Sequence, residues 1–137
     1  RSAPISRHTW LSKTAIEAFA NRIISEYSVR PKSSKARAGA LSGGNLQKVI
    51  IGREVSFEGP LLIAEQPTRG VDIGAIEFIH GELLRLRSQG KAILLVSAEL
   101  TEILALSDRI LVMYEGRIVA DMTADRATER EIGMYMA

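Results

Sequence analysis

Leu61-Leu62-Ile63-Ala64-Glu65-Gln66-Pro67-Thr68-Arg69-Gly70-Val71-Asp72 is the stretch that sets the fold class. Its first four residues are apolar without alternation, bounded by Gly59-Pro60 and Pro67. A short run that is apolar on both faces suits a strand covered on both sides, as in a parallel sheet. After Asp72 and Gly74, apolar residues at Ile76, Ile79, Leu83 and Leu86 mark one face of a helix. Gly90 ends it, because glycine accepts the left-handed backbone that closes a helix. Ala92–Ser97 then reads as a second buried strand and Leu100–Leu106 as a short helix. Strand–helix–strand–helix alternation predicts an α/β fold with a mainly parallel sheet and right-handed crossovers.

The flanks are of a different kind. Downstream, Arg109–Tyr114 and Arg117–Met122 enclose Glu115-Gly116, a two-residue turn of the hairpin type. Thr128 and Glu131 form a capping box for a last short helix. Upstream, Ile16, Phe19, Ala20, Ile23, Ile24 and Tyr27 make a helical stripe over Ser12–Tyr27, with Ser12 as its cap. Residues 28–40 are polar and basic, with Pro31 and Gly39, and read as a loop. A further helix is expected from about Leu46 to Phe57, with Leu46, Val49, Ile50 and Phe57 inward. No internal repeat or low-complexity tract is present.

The 137 residues are enough to bury a core, and 46% hydrophobic with 25% charged residues is the balance of a globular protein. Mean hydropathy is near zero, at +0.06. No run approaches the roughly 18–20 apolar residues of a membrane-spanning helix. The absence of cysteine excludes disulfides and thiolate metal sites, and it suits a reducing cytoplasm. The start, Arg1-Ser2-Ala3-Pro4, has neither an initiator Met nor a signal-peptide core, as expected of an excised piece. Residues 1–40 carry eight Lys/Arg against Glu17 and Glu26, a balance of +6, so the remainder carries −4. Such a basic third can face a membrane, nucleic acid or an acidic partner, or simply solvate an exposed face. His8 and His80 have no metal-ligand spacing with another His, and read as exposed and as surface or packing residues respectively.

The chemistry concentrates at Leu41-Ser42-Gly43-Gly44-Asn45, followed by Leu46-Gln47-Lys48. Paired glycines let a backbone approach a phosphate, and the helix that follows directs N–H groups and its positive dipole end outward. Ser42 and Asn45 add side-chain donors. Alone, Ser-Gly-Gly is a common turn. Its spacing to an acid-tipped strand, a helix and a second strand ending at Val96-Ser97-Ala98-Glu99 is far more specific.

Together, from about Leu41 to Asp121, these features resemble the C-terminal portion of an ABC ATPase nucleotide-binding domain. The fold implied is a partial P-loop NTPase domain with a mainly parallel sheet, a terminal β-hairpin and part of the helical subdomain. Residues 1–40 would be that subdomain and a basic connector, and 41–137 the C-terminal part of the nucleotide-binding domain. The resemblance implies that Ser42, Gly43, Gly44, Asn45 and Gln47 belong to the signature segment that meets ATP held by an opposing domain. It places Asp72 in the D-loop that communicates between the two ATP sites. Glu65 takes the Walker B position that supports Mg²⁺ through water. Gln66 falls where a glutamate usually polarises the attacking water, and Ala98 where a switch histidine is common.

Three of these positions depart from the family pattern. Glu65 keeps the charge with an extra methylene. Gln66 cannot accept a proton, a change expected to cost on the order of 10²–10⁴ in rate where proton acceptance matters. Ala98 offers no donor to a γ-phosphate. The phosphate-loop pattern G-x-x-x-x-G-K-[ST] is also absent, since Gly90-Lys91 is followed by Ala92, with Arg85 at the first glycine position. The chain is therefore expected to be inactive alone, although its parent would hydrolyse ATP.

Gln66–Ala75, Asn45 and the segment Ala75-Ile76-Glu77-Phe78-Ile79-His80 resemble the second half of tandem simple-sugar importers, and within them the nucleoside branch. This resemblance implies the opposing nucleotide-binding half of the same chain, transmembrane permease subunits and, indirectly, an extracytoplasmic lipoprotein as partners. It places the subunit peripherally at the cytoplasmic face of the bacterial inner membrane. The isolated chain is expected to self-associate through open strand edges and apolar faces. Alternatives are a soluble ABC-type ATPase of DNA repair or translation and a non-catalytic interaction module. The first lacks the Arg69-Gly70-Val71-Asp72 context. In the second, the basic third would bind nucleic acid, but its densest basic run, residues 30–37, has no aromatic among its residues for base stacking.

Overall fold

A computed structural model describes residues 6–7, 10–57 and 59–136. Arg1 and His8 lie outside the described residues. The chain divides into two compact units, one of Arg1–Gly59 with Thr68–Ile79 and the other of Pro60–Pro67 with His80–Ala137.

In the first unit, β1 (Ser6–Arg7) pairs antiparallel with β2 (Trp10–Leu11), a pairing without a counterpart in the sequence reading. Helix α1 (Lys13–Glu26) starts where expected, with Ser12 Oγ accepting from the Ala15 N–H at 3.3 Å. Its stripe delivers Ile23, followed by Tyr27 and Val29, into a core supported by Phe19, Ile24, Val49, Ile51 and Phe78. Tyr27 and Phe78 meet edge to face, with ring centroids 6.0 Å apart. The basic residues Lys13, Arg22, Arg30, Lys32, Lys35 and Arg37 are exposed.

Helix α2 (Gly43–Val55) departs from expectation in two ways. It begins earlier, so both signature-like glycines lie in its first turn. Its inward face is also different, because Leu46, Ile50 and Phe57 are exposed while Val49 and Ile51 pack on the core. The cause is Gly52, which is buried against α1. A Cβ there would lie 2.8 Å from Ile23 Cγ2 and 2.9 Å from Tyr27 Cδ2. The closest face of α2 is thus its smallest one, which a reading of apolar bulk misplaces.

Helix α3 (Ile73–Ser88) buries Ala75, Ile79, Leu83 and Leu86, the expected stripe, and Gly90 follows at φ +86°. In the second unit, β3 (Leu61–Glu65) pairs parallel with β4 (Ala92–Val96), residue for residue from Leu61–Ala92 to Glu65–Val96. Helix α4 (Leu100–Leu106) follows. Strands β5 (Arg109–Tyr114) and β6 (Arg117–Thr123) form the hairpin, with Glu115 and Gly116 both at positive φ as a type I′ turn needs. Arg109 Nε donates to Asp121 Oδ1 at 2.8 Å across that hairpin. This bond, more than the attraction of the charges, holds the Arg109 pKa above its ordinary value, and it holds the Asp121 carboxyl below its own. Helix α5 (Glu129–Tyr135) is capped by Thr128, whose Oγ1 accepts from the Glu131 N–H at 3.2 Å. Ile110, Val112 and Ile132 form this unit's core.

Among the described residues, strands β3 and β4 are not covered on both sides. Leu61, Ile63, Leu94 and Val96 lie on one face and stay exposed, by 46–62% of their surface. Apolar character on both faces signalled burial correctly as chemistry, but the described residues supply only one covering layer.

The tight α1–α2 contact gives a paired expectation. Gly52→Ala should lower stability in urea unfolding by about 1–3 kcal/mol through overpacking. Gly81→Ala, on α3 with open space around it, should raise stability by about 0.5–1 kcal/mol through helix propensity.

Candidate functional site

The candidate residues fall into two groups, one in each unit. In the first, Ser42 caps α2 in extended conformation, and its Oγ accepts from Asn45 N at 3.4 Å and Asn45 Nδ2 at 2.9 Å. Asn45 Oδ1 in turn accepts the Arg30 N–H at 2.7 Å. Both polar ends of the Asn45 side chain therefore work internally, tying the basic connector to the start of α2. Asn45 is therefore not the free side-chain donor that the sequence suggests, because its amide is used within the chain. Ser42 is exposed and Gln47 half-buried.

The paired glycines have an architectural reason. A Cβ on Gly43 would meet Gly70 O at 2.9 Å, and one on Gly44 would meet Ala75 Cβ at 2.7 Å and Asp72 Oδ2 at 3.0 Å. The Thr68–Asp72 turn, with Gly70 at φ +73°, packs directly on the first turn of α2. Asp72 Oδ1 accepts the Ala75 N–H at 2.9 Å and so caps α3. Signature-like and D-loop-like segments, well separated in sequence, thus share one surface. With the Asn45 N–H taken by the Ser42 cap, the N–H groups of Gly43 and Gly44 are those that helix geometry leaves without an intrahelical partner and dipole-aligned, a setting suited to an anion.

In the second unit, Glu65 ends β3 opposite Val96, and the Gln66 N–H donates to Val96 O at 2.7 Å. Gln66 sits at φ +46°, a left-handed turn that leads directly into buried Pro67. Ala98 is exposed in the loop between β4 and α4, where the Glu99 N–H donates to Ser97 Oγ at 3.0 Å. Glu65, Gln66 and Ala98 therefore gather at the carboxyl ends of adjacent parallel strands, the usual ligand edge of such sheets. Among the described residues, no group of three or more His, Asp or Glu is arranged to hold a metal. Glu65 by itself suits the Mg²⁺ mode of one carboxylate with waters and substrate phosphates.

Over 98% of its length the chain is 52% identical to the guanosine import ATP-binding protein NupO of Bacillus subtilis (strain 168), covering 26% of that protein. It is 44% identical over 97% of its length to the nucleoside import ATP-binding protein NupA of Lactococcus lactis subsp. cremoris (strain MG1363), again covering 26%. The chain therefore spans about a quarter of the length of these curated relatives. Among solved structures, it superposes with a TM-score of 0.66 on the ADP conformation of an ATP-binding cassette of an ABC transporter. That likeness has 28% identity and covers 90% of this chain and 47% of the other. No family model matches the chain. The fold is part of an ABC ATPase cassette.

The cassette portion holds a polar contact that sequence spacing could not reveal. His80 on α3 lies with Nε2 2.9 Å from Glu102 Oε1 on α4. Glu102 is 3% exposed, and its Oε2 has no hydrogen-bond partner among the described residues. The two residues are far apart in sequence and on different helices, so no local pattern links them. His80 is thus neither a plain surface residue nor an apolar packing residue.

His80→Ala should leave both oxygens of the buried carboxylate unpaired and lower stability by about 1–3 kcal/mol, read from the urea midpoint. His80→Gln, which keeps a donor, should recover part of that loss.

Proposed function

We propose that the chain is the C-terminal part of an ATP-binding subunit of a bacterial importer for nucleosides or simple sugars. The single observation that carries this reading is the seating of the Thr68–Asp72 turn on Gly43 and Gly44, beside the open first turn of α2. Residues 1–40 contribute part of the helical subdomain and a basic connector, and residues 41–137 the C-terminal part of the nucleotide-binding domain. The 52% identity to a guanosine importer subunit favours the nucleoside branch.

Ser42, Gly43 and Gly44, with Asn45, Gln47 and Asp72 beside them, present backbone N–H groups to the γ-phosphate of an ATP bound mainly by the opposing half of the full-length chain. Asn45 acts by holding Ser42 and the connector in place, as its hydrogen bonds favour. Mg²⁺ would neutralise phosphate charge at the second site, where Glu65 holds it through water. Gln66 orients water without taking its proton, and Ala98 contributes no donor, so that site binds ATP better than it cleaves it. The opposing half, supplied with Ser42–Asn45 in trans, performs the hydrolysis.

Permease subunits and, through them, a lipoprotein receptor complete the assembly at the cytoplasmic face of the inner membrane. The exposed basic residues of the first unit favour a position near anionic headgroups over nucleic acid, because the dense basic run of residues 30–37 holds no aromatic for base stacking. No helix among the described residues is long and apolar enough to cross a membrane. Taken alone, the chain self-associates through the exposed face of β3 and β4.

Phosphate release and calorimetry on this chain and on the full-length subunit test the reading together. The chain alone should neither bind nor turn over ATP. The full-length subunit should bind two ATP and release phosphate from one in a single turnover. Turnover by the chain alone, or equal cleavage at both sites, would overturn the proposal.

A further inference from the structure

Val29 is buried in the core of the first unit, and its N–H donates to Ile24 O at 3.0 Å. The backbone of Arg30 is thereby anchored, and its N–H lies 2.7 Å from Asn45 Oδ1. A backbone N–H can only donate, so the oxygen end of the Asn45 amide must face it. The nitrogen end then faces Ser42 Oγ at 2.9 Å, and it too can only donate. The main-chain N–H of Asn45 is a second donor to the same Oγ, at 3.4 Å.

A hydroxyl group has two acceptor positions and one proton. Two donors on Ser42 Oγ take both acceptor positions, so only the proton is left for outside use. Among the described residues that proton has no acceptor. Asn45 is half-buried and Ser42 exposed, so the polarity is set inside the fold and delivered at its surface. An unconstrained serine rotates and serves as donor or acceptor. This one is held as a donor, next to the N–H groups of Gly43 and Gly44 at the start of α2.

We infer that Asn45 is a positioning residue that fixes the Ser42 hydroxyl as a donor to a γ-phosphate oxygen, with the anchored N–H of Arg30 as the origin of that polarity. The inference rests on the proposed place of Ser42 at the γ-phosphate of ATP held by the opposing half. Asn45 itself does not reach the nucleotide, because both ends of its amide are engaged within the chain. Its identity as an amide matters for the same reason. The residue must accept at one end and donate at the other, which neither a carboxylate nor an apolar side chain does.

The test is single-turnover phosphate release by the full-length subunit at saturating ATP and Mg²⁺. Ser42→Ala removes a hydrogen bond to a charged oxygen and should slow release roughly 10–100-fold. Asn45→Ala leaves the hydroxyl present but unaligned and should slow release roughly three- to tenfold. The double variant Ser42→Ala/Asn45→Ala should match Ser42→Ala within about twofold, because the second change acts only through the first. Asn45→Asp still accepts from Arg30, but its other oxygen draws the Ser42 proton inward and its charge opposes the phosphate. It should therefore be slower than Asn45→Ala while unfolding at a higher urea midpoint, an order of rates that a purely structural role would reverse. Should Asn45→Ala fail to fold, Asn45→Ser, too short to bridge Arg30 and Ser42, takes its place in the cycle. Independent, multiplying effects of the two substitutions would overturn the inference and leave the role of Ser42 standing, as would release by Asn45→Asp that is faster than by Asn45→Ala. An unchanged rate in Ser42→Ala would overturn the inference together with the reading beneath it.

Discussion

The parallel pairing of β3 with β4 is the constraint on which the second unit depends. Its register puts Glu65 opposite Val96, and the bond from Gln66 N to Val96 O extends the ladder one step past the strand end. That step holds Gln66 in the left-handed turn that starts the Thr68–Asp72 segment. It also brings the loop bearing Ala98 to the end of β3. Residues remote in sequence become neighbours through backbone hydrogen bonds, so the placement of these strand ends does not depend on which side chains they carry. The placement of a neutral Gln66 and a donorless Ala98 at intact strand ends fits that separation of scaffold from chemistry.

In the first unit, glycines do the comparable work, and they do it by absence. Gly43 and Gly44 admit the Gly70–Asp72 turn, and Gly52 admits α1. Helix α2 is therefore approached closely at its first turn and again near its end. Three helical glycines carry a propensity cost of about 1 kcal/mol each relative to alanine. Such a cost is sustained where a side chain would collide with backbone or with a packed ring, as it would at Gly43 and Gly52. Asn45 and Ser42 complete the arrangement by occupying each other's polar atoms, which fixes the loop before α2 without a ligand present.

Signals that are local in sequence were legible. The caps Ser12 and Thr128, the stripe of α3, the stop at Gly90, the bounds of α4 and the Glu115-Gly116 turn all rest on residues a few positions apart. The candidate residues were legible as positions for the same reason, since they follow strand ends and helix starts. What escaped is non-local. The inward face of α2 is set by α1, the short β1–β2 pairing has no strong pattern, and the His80–Glu102 contact joins two helices. The open face of β3 and β4 could not be read either, because apolar residues report a preference for burial and not the identity of what buries them.

Glu102 shows how such a contact acts. From α3, His80 reaches Glu102 and Arg87 reaches Asp108, starting seven residues and about two helical turns apart. The second is exposed, and exposed pairs contribute about 0–1 kcal/mol at most. The first is buried, where desolvation opposes the attraction and a partnerless oxygen adds to the cost. An apolar pair of similar volume would hold α3 and α4 together at least as tightly, but it would tolerate sliding. A buried carboxyl group with one matched partner does not tolerate sliding, because any shift leaves its buried polar atoms without a hydrogen bond. The pair therefore contributes register more than adhesion, and it fixes α4, which begins right after Ala98, against the helix that carries His80.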